Sequence, residues 1–289
     1  MRIDLHIHTT ASDGCWTPAE TVQHIQEAGI ELFAVCDHDA LDSVMPVAAQ
    51  ARQGGLAFLP AAEVSALLDS VGLLHILAYG VDPLDAALVA MLQRNRERLE
   101  WGNEETLRRL IQAGYPLDLA AYEAYTNNPR RGGWRVLNFL IDCGICRDVH
   151  DFFERIDVDP IRPPWPDFPH PAEVAAVVRQ AGGLPVLAHP GASLRASGVS
   201  AATLAPFVEY GIAGIECYTS YHDEATTQTC LDFCRRHDLL ITGGSDCHGP
   251  FVERPLGVPW IELEHVRLGP LEAHILRPDS PWPWGDVYG

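Results

Sequence analysis

The sequence predicts an α/β fold that is interrupted by an all-helical segment, and three observations lead to this prediction. Over the first eighty residues, apolar runs typical of buried strands alternate with segments of helical spacing. The alternation returns after residue 163, whereas residues 84–162 show helical spacing alone between proline-rich joints. Third, His, Asp or Glu residues repeatedly follow the apolar runs. We therefore predict a discontinuous barrel, residues 1–83 and 163–289, with a helical insertion over residues 84–162.

The N-terminal stretch, residues 2–8, alternates apolar and polar side chains, which indicates a short strand. Because residues i and i+2 of a strand lie on one face, His6 and His8 should point the same way. A Ser-Asp-Gly turn should bring Asp13 back toward them as an oxygen ligand. The stretch therefore predicts a metal site; the alternative is a polar strand end with two solvated histidines.

A helix and a buried strand are predicted next. Thr17-Pro18-Ala19-Glu20 is a capping box with proline at the first helical position, and the helical spacing runs to Gly29. Residues 32–36 are continuously apolar, as in a parallel strand that is buried on both faces, and they lead into His38. This strand should therefore lie inside the barrel wall and deliver His38 at its carboxyl end.

Further apolar runs carry ligand-type residues in or directly after them. These residues are Glu63, His75, His189, Glu216, Asp246 and His248. Successive strands of a βα-barrel deliver their carboxyl ends to one rim, where sites are built. A lone histidine after a strand is often structural, but so many polar strand ends together indicate a functional rim.

Composition excludes several classes of partner. The chain has 39 acidic and 20 basic residues, all of the latter arginine, for a formal charge of -19. Such a field disfavours long nucleic acids and membrane surfaces, and no apolar run reaches the roughly 18 residues of a membrane span. The eight cysteines are scattered, so we expect reduced thiols and a cytoplasmic protein. The oligomeric state is left open.

The insertion is less acidic than the barrel. It holds 11 arginines and 13 acids, net -2, which leaves a net charge of -17 for the remainder. Its loop at residues 127–135 presents Arg130, Trp134 and Arg135, and we expect this loop to be flexible. Paired guanidinium groups bind phosphate and an aromatic plane stacks on a base, so these three residues are predicted to bind a nucleotide substrate.

Taken together, these motifs resemble the full motif set of the PHP (polymerase and histidinol phosphatase) superfamily. The matching elements are His6-x-His8, Asp13, Asp37-His38, Glu63, His75, Ala188-His189-Pro190 and Ser245-Asp246-x-His248. The resemblance implies a distorted (β/α)7 barrel with two or three metals. It assigns His6, His8, Glu63 and Asp246 to one metal; Asp13, His38 and His248 to a second; and Glu63, His75 and His189 to a third, with Glu63 bridging.

Oxygen and imidazole ligands without thiolate suit Mn²⁺, Fe²⁺ or Zn²⁺, and we favour Mn²⁺. Such metals lower the pKa of a bound water and clamp the oxygens of a phosphoryl displacement. Asp13, His38 and His248 are also candidates for steering protons, although the sequence does not separate this role from ligation. All nine ligand positions are filled, which argues against a non-catalytic metal-binding module.

Nearly the whole chain resembles one branch of the superfamily, which includes nucleoside 3',5'-bisphosphate phosphatases and short-RNA 5'-exonucleases. The likeness rests on residues 181–190, 214–218 and 244–250. Members often carry Arg-x-His where this chain has Gly133-Trp134-Arg135; this departure disfavours RNA-end activity, and we expect Trp134 to hold a single adenine. The resemblance therefore implies removal of the 3'-phosphate of adenosine 3',5'-bisphosphate. The alternatives are 5'-to-3' trimming of short RNA and hydrolysis of histidinol phosphate.

Overall fold

The computed structural model describes residues 1–281 and residue 284. Its strands are β1 (Arg2–Ile7), β2 (Leu32–Val35), β3 (Ala57–Leu68), β4 (Gly72–Tyr79), β5 (Leu184–Leu187), β6 (Gly214–Tyr218), β7 (Leu240–Gly243) and β8 (Ile261–Glu262). Its α-helices are α1 (Pro18–Glu27), α2 (Val44–Gln53), α3 (Ala86–Gln112), α4 (Leu119–Ala124), α5 (Arg135–Asp142), α6 (Val149–Arg155), α7 (Pro171–Gln180), α8 (Pro190–Ser193), α9 (Ala201–Glu209) and α10 (Glu224–His237). Three short 3₁₀ helices lie at Pro129–Arg131, Leu263–His265 and Gly269–His274. No helix in the described part of the chain is both long and apolar enough to cross a bilayer.

The strands form one nearly closed sheet in the order β7-β6-β5-β4-β3-β2-β1-β8. β1 closes the ring along two stretches of its free edge. Its first residues pair with the antiparallel β8, whereas His6 O accepts a hydrogen bond from Asp246 N (2.8 Å) and His8 N donates to Cys247 O (2.9 Å). The predicted α/β barrel is confirmed.

Two strands are antiparallel to their neighbours: β8 at the edge of the sheet and β4 in its middle. β1, β2 and β3 are parallel, as are β5, β6 and β7, but β4 is antiparallel to both of its neighbours. β3 continues past Glu63 to Leu68 and forms a hairpin with β4, so Glu63 lies within its strand rather than directly after it. The reversal matters because it brings His75, near the start of β4, to the rim reached by the carboxyl ends of the other strands.

Apolar side chains fill the interior of the barrel and the space between its strands and the surrounding helices. In β2, Leu32 and Ala34 point into the barrel core, whereas Phe33 and Val35 pack outward in a cluster with α1 and α2. The predicted strand with two buried faces is confirmed. The capping box of α1 also forms, because Glu20 N donates to Thr17 Oγ1 and the Glu20 carboxylate accepts from Thr17 N.

The segment between β4 and α7 is helical, as its spacing predicted, and it has a core of its own around Leu107, Leu137 and Phe152. Its first helix docks on the barrel through a buried amide: Asn95 Nδ2 donates to Asp39 Oδ1 (2.8 Å) and to Ser65 O (2.9 Å). This contact fixes α3 beside the rim on which the predicted ligands lie.

Candidate metal centre

β1 presents both of its histidines on the inner rim of the barrel. The Nε2 atoms of His6 and His8 lie 3.2 Å apart, and both side chains are completely buried. The chain then turns back tightly, which requires Gly14, since a Cβ there would lie 2.5 Å from His8 O. Gly244 has the same role on the opposite side, where a Cβ would lie 2.4 Å from His6 N. Two glycines thus let backbone close around the histidines.

The first predicted ligand group is assembled from the end of β1, the middle of β3 and the segment after β7. Glu63 Oε2 lies 3.2 Å from His6 Nε2 and 3.3 Å from His8 Nε2. Asp246 Oδ1 lies 3.4 Å from His6 Nε2 and 3.0 Å from His8 Nε2. These four side chains can place one donor atom each around a single cation.

The second group lies beside the first and shares His8 with it. Asp13 Oδ1 is 3.2 Å from His248 Nε2 and 3.6 Å from His8 Nδ1, and Asp13 Oδ2 is 3.9 Å from His38 Nε2. These four residues form a second candidate group. The sequence assigned His8 to one metal only, whereas in the structure its two ring nitrogens face two groups.

The third predicted group, Glu63, His75 and His189, lies around the other oxygen of Glu63, but the third candidate metal group in the structure contains His38 in place of His189. Glu63 Oε1 lies 3.3 Å from His75 Nδ1 and 2.9 Å from His189 Nε2, while His38 Nδ1 is 3.2 Å from Glu63 Oε2. Each carboxylate oxygen of Glu63 therefore faces a different set of imidazoles. This is the arrangement expected of a carboxylate that bridges neighbouring metals.

The cluster has two oxygens that fit a bound cation. Glu63 Oε2 and Asp246 Oδ1 are buried, yet neither accepts a hydrogen bond from any described residue. A buried carboxylate oxygen without a partner is costly unless a cation or an unseen water completes it. The donor set of imidazole nitrogens and carboxylate oxygens suits a first-row divalent metal. The residues present therefore fit a metal cluster.

Electrostatics within the cluster keep its carboxylates ionised. Burial opposes ionisation, but His6 and the other nearby histidines hold the pKa of Glu63 and of Asp246 well below the usual range. Burial also opposes protonation of His8, yet Asp246, Glu63 and Asp13 raise its pKa to about 10. Burial lowers the pKa of His38 to about 3. Metal ions compete with protons for these ligand atoms, so the affinity of the cluster for metal ions should rise with pH.

Two ligand positions lie on strained backbone. Asp246 has φ +54° and His189 has φ +23°, a region that non-glycine residues rarely adopt and that costs about 1–3 kcal/mol. Hydrogen bonds hold both: Asp246 N donates to His6 O, and His189 N donates to Glu216 Oε2 (2.8 Å). Both are positions from which a side chain reaches the cluster; Asp39, next to His38, and Asp238, at the end of α10, also have positive φ.

Glu216 supports the cluster from behind. It is fully buried, and its Oε1 accepts a hydrogen bond from His6 Nδ1 (2.9 Å) while Oε2 binds the backbone of His189. Fixing Nδ1 as the donor leaves His6 Nε2 free to face the cluster. Its position after an apolar run marked Glu216 in the sequence, but it was not among the predicted site residues.

The substitution Glu216→Gln should weaken Mn²⁺ binding about 10- to 100-fold, because an amide cannot accept both hydrogen bonds and typical losses behind a metal ligand are of this size. Titration calorimetry of the metal-depleted protein measures this affinity. Glu209→Gln, an exposed glutamate on α9, is the matched control. Equal Mn²⁺ affinity in both variants would show that Glu216 does not orient the ligands.

The aspartates on either side of His38 have structural roles. Asp37 accepts hydrogen bonds from Thr9 N (2.8 Å) and Ser12 Oγ (2.6 Å), which shapes the turn that carries Asp13. Asp39 accepts from Ser65 Oγ (2.6 Å) as well as from the insertion's amide. Neither carboxylate belongs to the candidate metal groups found among the described residues.

The predicted substrate-binding loop lies against the metal rim. Gly133 N donates to Asp13 O (2.7 Å), and Phe251, from the loop after His248, packs on the insertion's core. Arg130 pairs with Glu20 of α1 at 3.0 Å. The loop predicted to be flexible contains a 3₁₀ turn and has fixed partners on the barrel.

Arg135 is used inside the insertion. Its guanidinium donates to Glu100 Oε1 and to Tyr122 O, both at 2.7 Å, and lies over the Tyr122 ring. In this structure the Arg135 side chain ties α5 to α3 and α4, and its binding of phosphate stays a prediction. Trp134 is half-buried and packs against Phe152, with the exposed Phe153 ring 5.8 Å away.

Two polar residues at the cluster were missed by the sequence reasoning. Tyr221 donates its hydroxyl to Asp246 Oδ2 (2.8 Å), and Arg254 donates from Nη1 to the same oxygen. Arg254 also lies 4.9 Å from the centre of the Tyr221 ring. Both residues are in irregular segments after β6 and β7, where no periodic pattern marks them.

Comparisons with known proteins agree with this centre. The chain is 30% identical to the 3',5'-nucleoside bisphosphate phosphatase of Chromobacterium violaceum, over 96% of this chain and 98% of that protein. It is 30% identical to the phosphoribosyl 1,2-cyclic phosphate 1,2-diphosphodiesterase of Eggerthella lenta, over 87% and 96%. It is 27% identical to the 5'-3' exoribonuclease Rnm of Escherichia coli, over 90% and 87%. No family model matches the chain.

Two solved structures have the same fold. One, described as a metal-dependent phosphoesterase from Bifidobacterium adolescentis, superposes with a TM-score of 0.78 at 27% identity, over 91% of this chain and 93% of the other. The second is described as an amidohydrolase from Chromobacterium violaceum with bound sulfate and no metal; its TM-score is 0.75 at 27% identity, over 96% and 98%. The fold, the cluster and these likenesses define a hydrolytic, metal-dependent phosphoesterase. The chain belongs to the PHP superfamily.

Proposed function

We propose that this protein removes the 3'-phosphate of adenosine 3',5'-bisphosphate, giving AMP and phosphate. The observation that carries the metal-dependent hydrolysis is the pair of unpartnered oxygens, Glu63 Oε2 and Asp246 Oδ1, inside a rim of histidines. The choice of substrate is supported by the similarity to the 3',5'-nucleoside bisphosphate phosphatase of Chromobacterium violaceum. When bound, divalent metals lower the pKa of a coordinated water and polarise the phosphoryl oxygens, so that no protein nucleophile is needed.

The nine residues of the cluster divide into a buried base and an open side. His6, His8 and Glu63 are inaccessible, whereas His38, His75 and Asp13 are 23, 20 and 16% exposed. A substrate phosphate therefore approaches from the exposed side. Asp13 and His38 face this approach, and the buried His248 lies 3.2 Å from Asp13 Oδ1. We assign these three residues a second role in steering the proton that the leaving sugar oxygen requires.

Charge supports a small substrate over a long one. The chain carries a formal charge of -19, and Arg130 and Arg135 are already paired with Glu20 and Glu100. The phosphates of an extended RNA would have to cross this acidic surface. The 30% identical phosphatase and diphosphodiesterase are both named for small phosphorylated substrates.

Trimming of short RNA from the 5' end is the second candidate, because the Escherichia coli exoribonuclease is similar over most of the chain. Product analysis separates the candidates. Incubating adenosine 3',5'-bisphosphate with the Mn²⁺-loaded protein should yield AMP, resolved by chromatography from adenosine 3'-phosphate. Adenosine 3'-phosphate as the product, or cleavage of short RNA alone, would contradict the proposed reaction.

The aromatic surface of Trp134 and Phe153 is our candidate site for the base. Trp134→Ala should weaken nucleotide binding by about 1–3 kcal/mol if the ring stacks on adenine, yet leave hydrolysis of a simple aryl phosphate nearly unchanged. Steady-state kcat/KM for the two substrates measures this difference. Phe153→Ala, which removes an exposed ring, tests the same surface with less damage to packing.

Trp260→Ala is the matched control, because this exposed tryptophan stacks on Arg2 at the start of β1, away from the rim. Equal losses for nucleotide and aryl phosphate in Trp134→Ala, together with no loss in Phe153→Ala, would remove the base-stacking assignment.

A further inference from the structure

Arg254 is the arginine that reaches the metal cluster. Its Nη1 donates to Asp246 Oδ2 and to Asp246 O (3.3 Å). Within residues 1–281, no other arginine hydrogen-bonds to any of the nine proposed ligands. The side chain is 26% exposed, so one part of it contacts a buried carboxylate while another part faces solvent.

The Arg254 guanidinium is held in position, but only one of its nitrogens donates a hydrogen bond to a described residue. The Tyr221 ring lies beneath it, and Nη1 is occupied by Asp246. Its Nε and Nη2 atoms make no hydrogen bond to a residue in the described ranges. A stacked, planar guanidinium with free donors is the group that best matches the oxygens of a phosphate.

The position of Asp246 shows which side of the cluster Arg254 faces. Asp246 Oδ2 accepts from Tyr221 and Arg254, whereas Oδ1 points at His6 and His8 without a hydrogen-bond partner. An anion bound at the cluster would therefore lie next to both the metals and the free guanidinium donors. The loop arginines Arg130 and Arg135 offer no such contact.

We propose that Arg254 binds a non-bridging oxygen of the phosphoryl group at the cluster and so selects phosphate esters as substrates. This inference rests on the proposed function only in that the substrate is a phosphate ester; it does not depend on which nucleotide is cleaved. Its alternative is that Arg254 serves only to orient Asp246, which would make it a positioning residue.

Binding of inorganic phosphate to the protein at saturating Mn²⁺, measured by titration calorimetry, distinguishes the two roles. Arg254→Gln should raise the phosphate Kd about 10- to 100-fold, the effect of losing a charge-assisted hydrogen bond. Arg254→Lys should give a smaller rise, because it keeps the charge but loses the fork. Tyr221→Phe removes the other donor to Asp246 Oδ2 and keeps the cation, so its phosphate Kd should stay within about threefold of the parent.

Each variant is also titrated with Mn²⁺ alone, to separate substrate contact from metal retention. An unchanged phosphate Kd in folded, Mn²⁺-loaded Arg254→Gln would overturn the proposal. Equal increases in Arg254→Gln and Tyr221→Phe, with weakened Mn²⁺ binding in both, would overturn it in favour of the positioning role. Hydrolysis of an aryl phosphate keeps the test independent of the nucleotide: if the parent cleaves only the aryl phosphate, the proposed nucleotide substrate fails while the role of Arg254 is still measured.

Discussion

Glu63→Gln is expected to reduce phosphate release by more than about 100-fold while the barrel remains folded. Both oxygens of Glu63 lie within 3.3 Å of imidazole nitrogens in different ligand groups, and an amide offers only one oxygen without charge. Because losing a group behind a metal ligand already costs about 10- to 100-fold, losing the shared ligand itself should cost more. Activity at saturating Mn²⁺ and metal content of the purified variant measure the effect.

The fold should survive because the neighbours of Glu63 in β3, Ala62 and Val64, remain buried in apolar packing. Circular dichroism checks this, and Glu173→Gln, an exposed position on α7, is the matched control. Parent-like turnover in a folded Glu63→Gln protein would show that this carboxylate does not hold a catalytic metal.

Removal of metal should abolish activity and lower thermal stability together. Glu63 Oε2 and Asp246 Oδ1 are buried and have no hydrogen-bond partner in the described chain, so a bound metal would supply the partner that they lack. A metal that binds only the folded state stabilises it by about 2.7 kcal/mol at a free concentration of 100 times Kd. Treatment with EDTA followed by gel filtration, and then addition of Mn²⁺, Fe²⁺ or Zn²⁺, should first remove and then restore both properties.

The melting temperature of Asp246→Asn provides the control for this experiment, because a protein with a damaged cluster should respond weakly to added metal. Full activity after exhaustive demetallation would contradict metal dependence. A melting temperature that rises equally with Mn²⁺ in the parent and in Asp246→Asn would indicate binding elsewhere on the acidic surface.

Much of the fold and the proposed ligand set could be predicted because each apolar run and the ligand-type residue in or after it are close together in the sequence. His6 and His8 follow from strand periodicity, and α1 follows from its capping box. The reversed direction of β4 could not be predicted, because an apolar run does not show whether its strand lies parallel or antiparallel to its neighbours. Yet this reversal is what brings His75 to the rim, as its antiparallel pairing with Ser65 shows.

The substrate side was harder to predict because it depends on contacts between distant segments. Arg135 has a guanidinium group, which commonly binds phosphate. In the structure it pairs instead with Glu100, which lies 35 positions earlier in the chain. In the sequence, Arg254 has no feature that separates it from a surface arginine, whereas in the structure Asp246, with φ +54°, accepts a hydrogen bond from its Nη1. Arginine pairing is decided by three-dimensional proximity, which sequence spacing does not supply.

The most direct measurement is kcat/KM of the Mn²⁺-loaded protein for a panel of phosphate esters, with Glu63→Gln as the blank. The panel contains adenosine 3',5'-bisphosphate, a short 5'-phosphorylated RNA, histidinol phosphate and an aryl phosphate. We expect the bisphosphate to have the highest kcat/KM, with AMP as its product and no turnover after metal removal. A higher kcat/KM for the RNA, or equal activity in the Glu63→Gln blank, would contradict a metal-dependent phosphatase of small nucleotides.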